Sequence, residues 1–288
     1  MRPKRASCFT RIIREPCREL HHVPDDRAAV AGACYSVPRE VISVVTFKWR
    51  PTGRYRSEFG AEQVNILRRM VARHYSDSHQ FICVTDDPTG LDPEVKVVPL
   101  WDDYAEIPNP SFTGGPSCYR RLKVFSRGIG EVLGERFVCL DLDMLITGDL
   151  RPLLNRTEDF IAWKNPNPLW PYNGSMFMLT AGTRPEVWES FDPETSPAIS
   201  HAAKCKGSDQ GWMSYVLGKG EATWGPEDGV WSYQDEIVGR RRILRGRFIN
   251  PGVGMLPKNA KVIVFHGPVD PWSRAARVLT PWVKEHYR

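Results

Sequence analysis

Residues 137–146, Phe-Val-Cys-Leu-Asp-Leu-Asp-Met-Leu-Ile, constrain this chain more than any other ten. An apolar, β-prone run meets two carboxylates spaced i, i+2, and a second apolar stretch follows at once. Side chains of an extended chain alternate between faces, so residues i and i+2 share a side. Asp141 and Asp143 are therefore expected together at the end of a buried strand. Two carboxylates so close to a core are costly unless something neutralises them. Mg²⁺ and Mn²⁺ take oxygen ligands and usually hold substrate phosphates as well. The pattern points to a metal–diphosphate site, and an acidic turn after a strand is the plainer alternative.

Around that run, strand and helix patterns alternate. Residues 41–47 read as a buried strand. Residues 58–74 read as a helix with Phe59, Val64, Leu67 and Val71 inward and Arg68, Arg69 and Arg73 outward. Strands are expected at 81–85, 95–100 and 137–140, with a helix at 119–129. This order predicts an α/β fold, a Rossmann-like and mainly parallel central sheet flanked by helices. Open sheets of that kind bind ligands at the carboxyl ends of their strands, where residues 46–49, 86–87 and 141–143 all fall. The second half is less regular and rich in Trp, Pro and Gly. It offers strands at 160–163 and 175–179, a helix at 209–217 capped by Ser208, and a strand at 261–265 that ends at His266. The expected organisation is a poorly ordered extension, residues 1–40, and a single domain, residues 41–288. Within the domain, 41–150 form the nucleotide-binding half and 151–288 the acceptor-side half.

With 41% hydrophobic and 25% charged residues among 288, the chain has a globular composition. No run approaches the ~20 apolar residues of a membrane span, and the N-terminus has no apolar core of a secretory signal. Seven cysteines, at 8, 17, 34, 83, 118, 139 and 205, show no Cys-x-x-Cys spacing, which argues against structural zinc. Cys83 and Cys139 lie in apolar strands and are expected to be buried thiols, in keeping with a reducing cytoplasm. Residues 1–40 carry +3 of the net charge of +5. A cluster at Arg240, Arg241, Arg242, Arg245 and Arg247 could meet nucleic acid or an anionic surface. A solvated basic face or a ligand-facing patch is the preferred reading, and the overall charge demands no nucleic-acid partner.

Four segments stand in a familiar order. Tyr119-Arg120-Arg121-Leu122-Lys123 comes first and the Asp141-x-Asp143 strand end second. Asn173-Gly174-Ser175 follows, and last comes Phe265-His266-Gly267 with Pro271-Trp272. Over residues 41–275 the chain thereby resembles the nucleotide-sugar glycosyltransferases of the GT-A fold, and among them the family 8-like bacterial enzymes. The resemblance implies that Asp141 and Asp143, with His266 as third ligand, hold a divalent ion that bridges the donor diphosphate. Mn²⁺ is expected in preference to Mg²⁺, since imidazole suits Mn²⁺ better. It implies that Thr46, Phe47, Lys48 and Trp49 cradle the nucleotide, with an aromatic ring on the base. Arg121 would approach the phosphates or the sugar, and Asn173 would read sugar hydroxyls. Asp209 and Gln210 would face the transferred sugar, with Gln210 beneath the anomeric carbon. Helix capping is the competing role for Asp209.

The implied activity is transfer of a hexose from a nucleotide sugar, a UDP-sugar foremost, to a glycan or lipid-linked saccharide. The family implies retention of configuration, and an inverting reaction would need Asp209 as base. The place implied is the cytoplasm, with a lipid-linked acceptor at the inner face of the membrane. One departure stands out: where many members carry Lys before the Pro-Trp pair, this chain has Asp270. Three other readings share the carboxylate pair or the arginine cluster. They are sugar transfer to modified DNA bases, nucleotidyl transfer, and a catalytically silent nucleotide-sugar-binding protein.

Overall fold

The computed structural model describes residues 41–50, 59–108, 118–167, 169–239 and 254–288, together with the backbone of 243–244 and 247–248. The 1–40 extension and four of the five clustered arginines (240, 241, 242 and 245) lie outside the described residues, as does the side chain of Arg247. The rest belongs to one compact unit, Glu40–Arg288.

Seven strands form the main sheet: β1 (Ile42–Lys48), β2 (His79–Thr85), β3 (Lys96–Pro99), β4 (Arg136–Leu140), β6 (Phe160–Lys164), β7 (Tyr172–Thr180) and β8 (Ala222–Trp224). Their order is β3-β2-β1-β4-β7-β6-β8. Pairings are parallel except for β7, which runs against both β4 and β6. β7 therefore starts at the edge where β4 ends: Leu140 pairs with Met176, and Asp141 N donates to Ser175 O at 2.9 Å.

Both faces of this sheet are covered, which explains the unbroken apolar strands. Period two sorts each strand between two cores. Val44, Val138, Met176 and Met178 face one core, which also holds Val64, Leu67, Met70 and Val71 of helix α1 (Ala61–His74). Val45, Cys139, Phe177 and Leu179 face the other, with Tyr119, Leu122, Phe125 and Trp212. The first core is closed by a second sheet in which β12 (Val262–Val264) lies between β5 (Met144–Ile146) and β9 (Val230–Ser232). A short hairpin, β10 (Ile243–Leu244) and β11 (Arg247–Phe248), completes the strands.

Two local expectations change. Residues expected as one helix at 119–129 are 3₁₀ turns, Cys118–Phe125 and Arg127–Ile129. With three residues per turn, Tyr119, Leu122 and Phe125 make one buried ridge, and Cys118 and Arg121 belong to the next. The helix expected at 58–74 begins at Ala61. Helix α2 (Asp209–Leu217) has the expected bounds, and Ser208 Oγ accepts from Gly211 N at 3.3 Å as its cap.

Candidate functional site

Arg121 is the centre of the arrangement at the carboxyl edge of the main sheet. Its Nη1 donates to Asp141 Oδ1 at 2.9 Å, just past the end of β4. Nη2 donates to the carbonyl of Gly174, near the start of β7, at 2.5 Å. Nε stands 3.3 Å from Asp209 Oδ2 at the head of α2, an ion pair without hydrogen-bond alignment. The guanidinium carbon lies 5.5 Å from the centre of the Phe47 ring, within cation–π range. Four elements distant in sequence thus meet on one cation. Its side chain is 14% exposed, against 13% for Asp209 and 31% for Asp141. Burial pushes the Arg121 guanidinium down, but the charges of Asp141 and Asp209 outweigh burial and hold it above its usual value. A small cavity beside it is lined by Arg121, Gly174, Asp209 and Gln210 and floored by Phe125 and Phe177.

Gly174 makes this approach possible. A Cβ there would stand 3.1 Å from Gln210 Cβ and 3.5 Å from Arg121 Nη2. Gln210 Oε1 accepts from Gly174 N at 3.1 Å, which ties the head of α2 to β7. Asp209 does not cap its helix. Ser208 does that, while the Asp209 carboxylate faces Arg121. The Asp209 backbone N–H donates to Cys118 Sγ at 3.5 Å. Asn173 is buried, and its Oδ1 accepts from Ser175 N.

The two carboxylates of the central motif are not extended neighbours on one strand. β4 stops at Leu140 and β5 starts at Met144, so residues 141–143 form the bend between two sheets. Alternation does not apply to a bend. Asp141 faces Arg121, whereas Asp143 is only 7% exposed and lies among the charges around Tyr287. There burial pushes the phenol up, and Glu62, Asp143 and Asp270 add to the push. The β5–β12 pairing brings the third expected ligand close along the backbone, since Phe265 N donates to Asp143 O at 3.0 Å. His266 Nε2 lies 2.7 Å from Ser232 Oγ and 3.2 Å from Asp235 Oδ2. Among the described residues, no three His, Cys, Asp or Glu side chains are gathered into a set that could hold a metal ion. Carboxylate oxygen and imidazole nitrogen are donor types that suit a cation such as Mn²⁺, and strand pairing brings the backbones of Asp143 and Phe265 together without gathering the three side chains into one set.

The nucleotide-cradle residues divide. Phe47 packs edge-on against Trp101 at 5.7 Å and under Arg121, half-buried at the rim. Trp49 lies under Arg120, 5.7 Å from the guanidinium carbon. Thr46 is fully buried, and its hydroxyl donates to Leu140 O at 2.8 Å. That hydroxyl ties β1 to β4. Lys48 is 5% exposed. Arg50 joins the neighbouring strand end, from its N to Asp86 Oδ2 at 3.1 Å and from Nη2 to Asp87 Oδ2 at 2.6 Å. The ends of β1, β2 and β4 therefore share one edge, as the alternating pattern predicts.

Sequence reasoning missed Ser232, Gln234 and Asp235, which pack against His266 and Gly267. The Ser-x-x-Asp spacing, a turn-capping pattern, was the available signal. Of the tryptophans in the Trp-rich second half, Trp163, Trp212 and Trp224 are core residues.

Strand order, the reversed β7 and the covered sheet define an α/β fold of the GT-A type. The galactosyltransferase LgtC, solved with donor and acceptor sugar analogs, matches over 86% of this chain and 97% of its own. The TM-score is 0.50 and the identity 15%. An active-site mutant of LgtC matches over the same shares at 14% identity and TM-score 0.50. The glycosyltransferase GlyE of Streptococcus pneumoniae TIGR4 aligns at 12% identity and TM-score 0.49, over 84% of this chain and 60% of its own. At these identities the likeness is one of fold. No protein-family model and no curated protein matches the chain.

Proposed function

We propose that this protein is a glycosyltransferase that moves a hexose from a nucleotide sugar, a UDP-sugar foremost, to a saccharide acceptor such as a glycan or a lipid-linked saccharide. The observation that carries the reading is the buried Arg121 joined to Asp141, Gly174, Asp209 and Phe47 at the ligand-binding edge of a GT-A-type sheet. Breaking a glycosyl–diphosphate bond builds negative charge on the leaving oxygen, so fixed positive charge in a dry site is the main catalytic need. Arg121 is such a charge, already aimed by two carboxylates. Asp209 and Asn173 hold the sugar hydroxyls, and Gln210, fixed against Gly174, lies under the anomeric carbon. Phe47 and Trp49 hold the base, with Lys48 beside them at the end of β1. A bound Mn²⁺ or Mg²⁺ would supply further neutralisation of the diphosphate, and Asp141, Asp143 and His266 are the residues that would hold it. The family 8 resemblance favours retention of configuration, for which no dedicated carboxylate base is required.

Thermal shift with UDP, GDP, CMP and ATP, each with Mn²⁺ and with EDTA, tests the donor site. Stabilisation by one nucleoside diphosphate only when Mn²⁺ is present supports the reading, and no shift with any of them refutes it. Asp270, in place of the expected lysine, favours the silent-binding alternative. In that case a nucleotide sugar would bind yet be neither transferred nor slowly hydrolysed.

A further inference from the structure

Lys48 is the last residue of β1 and is only 5% exposed. The other cations of the two segments that meet here, 48–50 and 120–123, have partners. Arg50 holds Asp86 through its backbone and Asp87 through its side chain. Arg121 is shared by Asp141 and Asp209, and Lys123 pairs with Asp103. Arg120 rests over the Trp49 ring. Lys48 alone of these five has no carboxylate, hydrogen bond or ring contact for its side chain among the described residues.

Its place follows from the strand. Val44 faces the first core and Val45 the second, so alternation puts Phe47 with the second and Lys48 with the first. Burial raises the Cys83 thiol and the charge of Lys48 opposes that rise, which sets Lys48 beside this first-core residue of β2. Val45 pairs with Cys139, and Lys48 lies three residues beyond Val45. That count brings it level with the bend at 141–143. Tyr287, whose phenol senses Asp143, belongs to the same core. An ammonium group taken out of water is costly unless an anion answers it. Lysine binds phosphate as a compact point charge with three donors, and open α/β sheets take their ligands at this edge. Arg121, one positive charge between two carboxylates, leaves most of the charge of a diphosphate unanswered.

We propose that Lys48 is a phosphate ligand of the donor site, its ammonium group binding the diphosphate of the nucleotide sugar at the end of β1 without the help of a metal ion. The nucleotide sugar in this statement rests on the glycosyltransferase reading, and the anion site rests on the buried, uncompensated ammonium group. Lys48 thereby supplies from β1 the positive charge that Asp270 does not. Hydrogen bonds to charged groups are the stronger ones, and losing this one should weaken phosphate binding about 10- to 100-fold.

The test uses the full chain in EDTA, with inorganic pyrophosphate, UDP and uridine as probes and ligand-detected NMR titration to read their affinities. Lys48→Met should bind pyrophosphate and UDP about 10- to 100-fold more weakly than wild type, with uridine affinity unchanged. Lys48→Arg keeps the charge and should retain most of the affinity. Lys48→Gln covers the case in which Lys48→Met does not fold. Unchanged pyrophosphate and UDP affinity in a folded, uncharged variant overturns the proposal, as does a parallel loss of uridine, which would make the role structural. A wild type that binds pyrophosphate through Lys48 but not UDP keeps the anion site and overturns the UDP-sugar reading beneath it, so the two failures are distinguishable. A wild type that binds neither overturns both.

Discussion

Arg121→Met removes the cation that Asp141 and Asp209 share. Breaking a buried ion pair by deleting one partner costs about 3–5 kcal/mol, because the remaining charge stays desolvated. Asp209, at 13% exposure, bears that cost in full, while Asp141, at 31%, regains water. The expected loss is therefore near the lower end, about 3 kcal/mol. Urea unfolding followed by far-UV circular dichroism reads it as a lower midpoint at unchanged slope. In the double variant Arg121→Met/Asp209→Asn the orphaned charge is gone. Part of the loss should return, with an interaction term of about 1–3 kcal/mol. Arg127→Met is the internal control, since Arg127 and Glu189 form a well-exposed pair whose loss should leave the midpoint in place. If Arg121→Met costs no more than Arg127→Met, or the double variant is strictly additive, the buried-hub argument fails.

Asp143→Asn should abolish Mn²⁺-dependent stabilisation by the nucleotide while the melting temperature without ligand stays close to wild type. A large drop without ligand would make Asp143 structural. Gly211→Ala should destabilise by about 3 kcal/mol or more in urea, because the new Cβ would fall 1.8 Å from Lys206 O and 2.0 Å from Cys205 O. A near-neutral result would mean that the 205–206 turn yields freely. The Arg156 hydrogen bond pulls Glu158 down to about 2. Its stabilising share is thus present above the ordinary glutamate value and lost as pH falls toward 2. Glu158→Gln should accordingly be less stable than wild type at neutral pH, and the gap should close on acidification in melts taken across that range. Burial pushes the Cys83 and Cys139 thiols up to about 12. Peptide mapping after thiol labelling at pH 8 should find both unmodified in the native protein and modified in urea.

What the sequence disclosed follows from burial. Strands with both faces covered are continuous apolar runs, and β1, β2, β4 and β7 were all visible that way. Ser208 and the residues after it marked α2 by its cap. Where the period is ambiguous the reading drifted. Tyr119, Leu122 and Phe125 fit a spacing of three as well as one of 3.6 over eight residues, so a 3₁₀ turn passed for a helix. The convergence of strand ends was legible, but the division of labour there was not. Nothing local in Leu-Asp-Leu-Asp says that the chain bends after Leu140 and sends the two carboxylates to different neighbours. Thr46 was expected at a base, yet its hydroxyl is spent on Leu140, a partner 94 residues away. Ser232 and Asp235 escaped notice because they meet His266 only through the pairing of two strands that are three residues long.

β12 occupies the middle of its sheet although it is the last strand in the chain. During synthesis the main sheet can be assembled as soon as β8 has emerged, while β5 and β9 still lack the neighbour that joins them. Contacts between segments so far apart in sequence form slowly. A growing chain therefore carries the acidic bend and the Arg121 hub for some time before the imidazole arrives. When β12 slides between its partners it closes the first core and delivers His266 in the same event. On the proposed reading, ligand affinity that depends on His266 would then report on whether the polypeptide has finished folding.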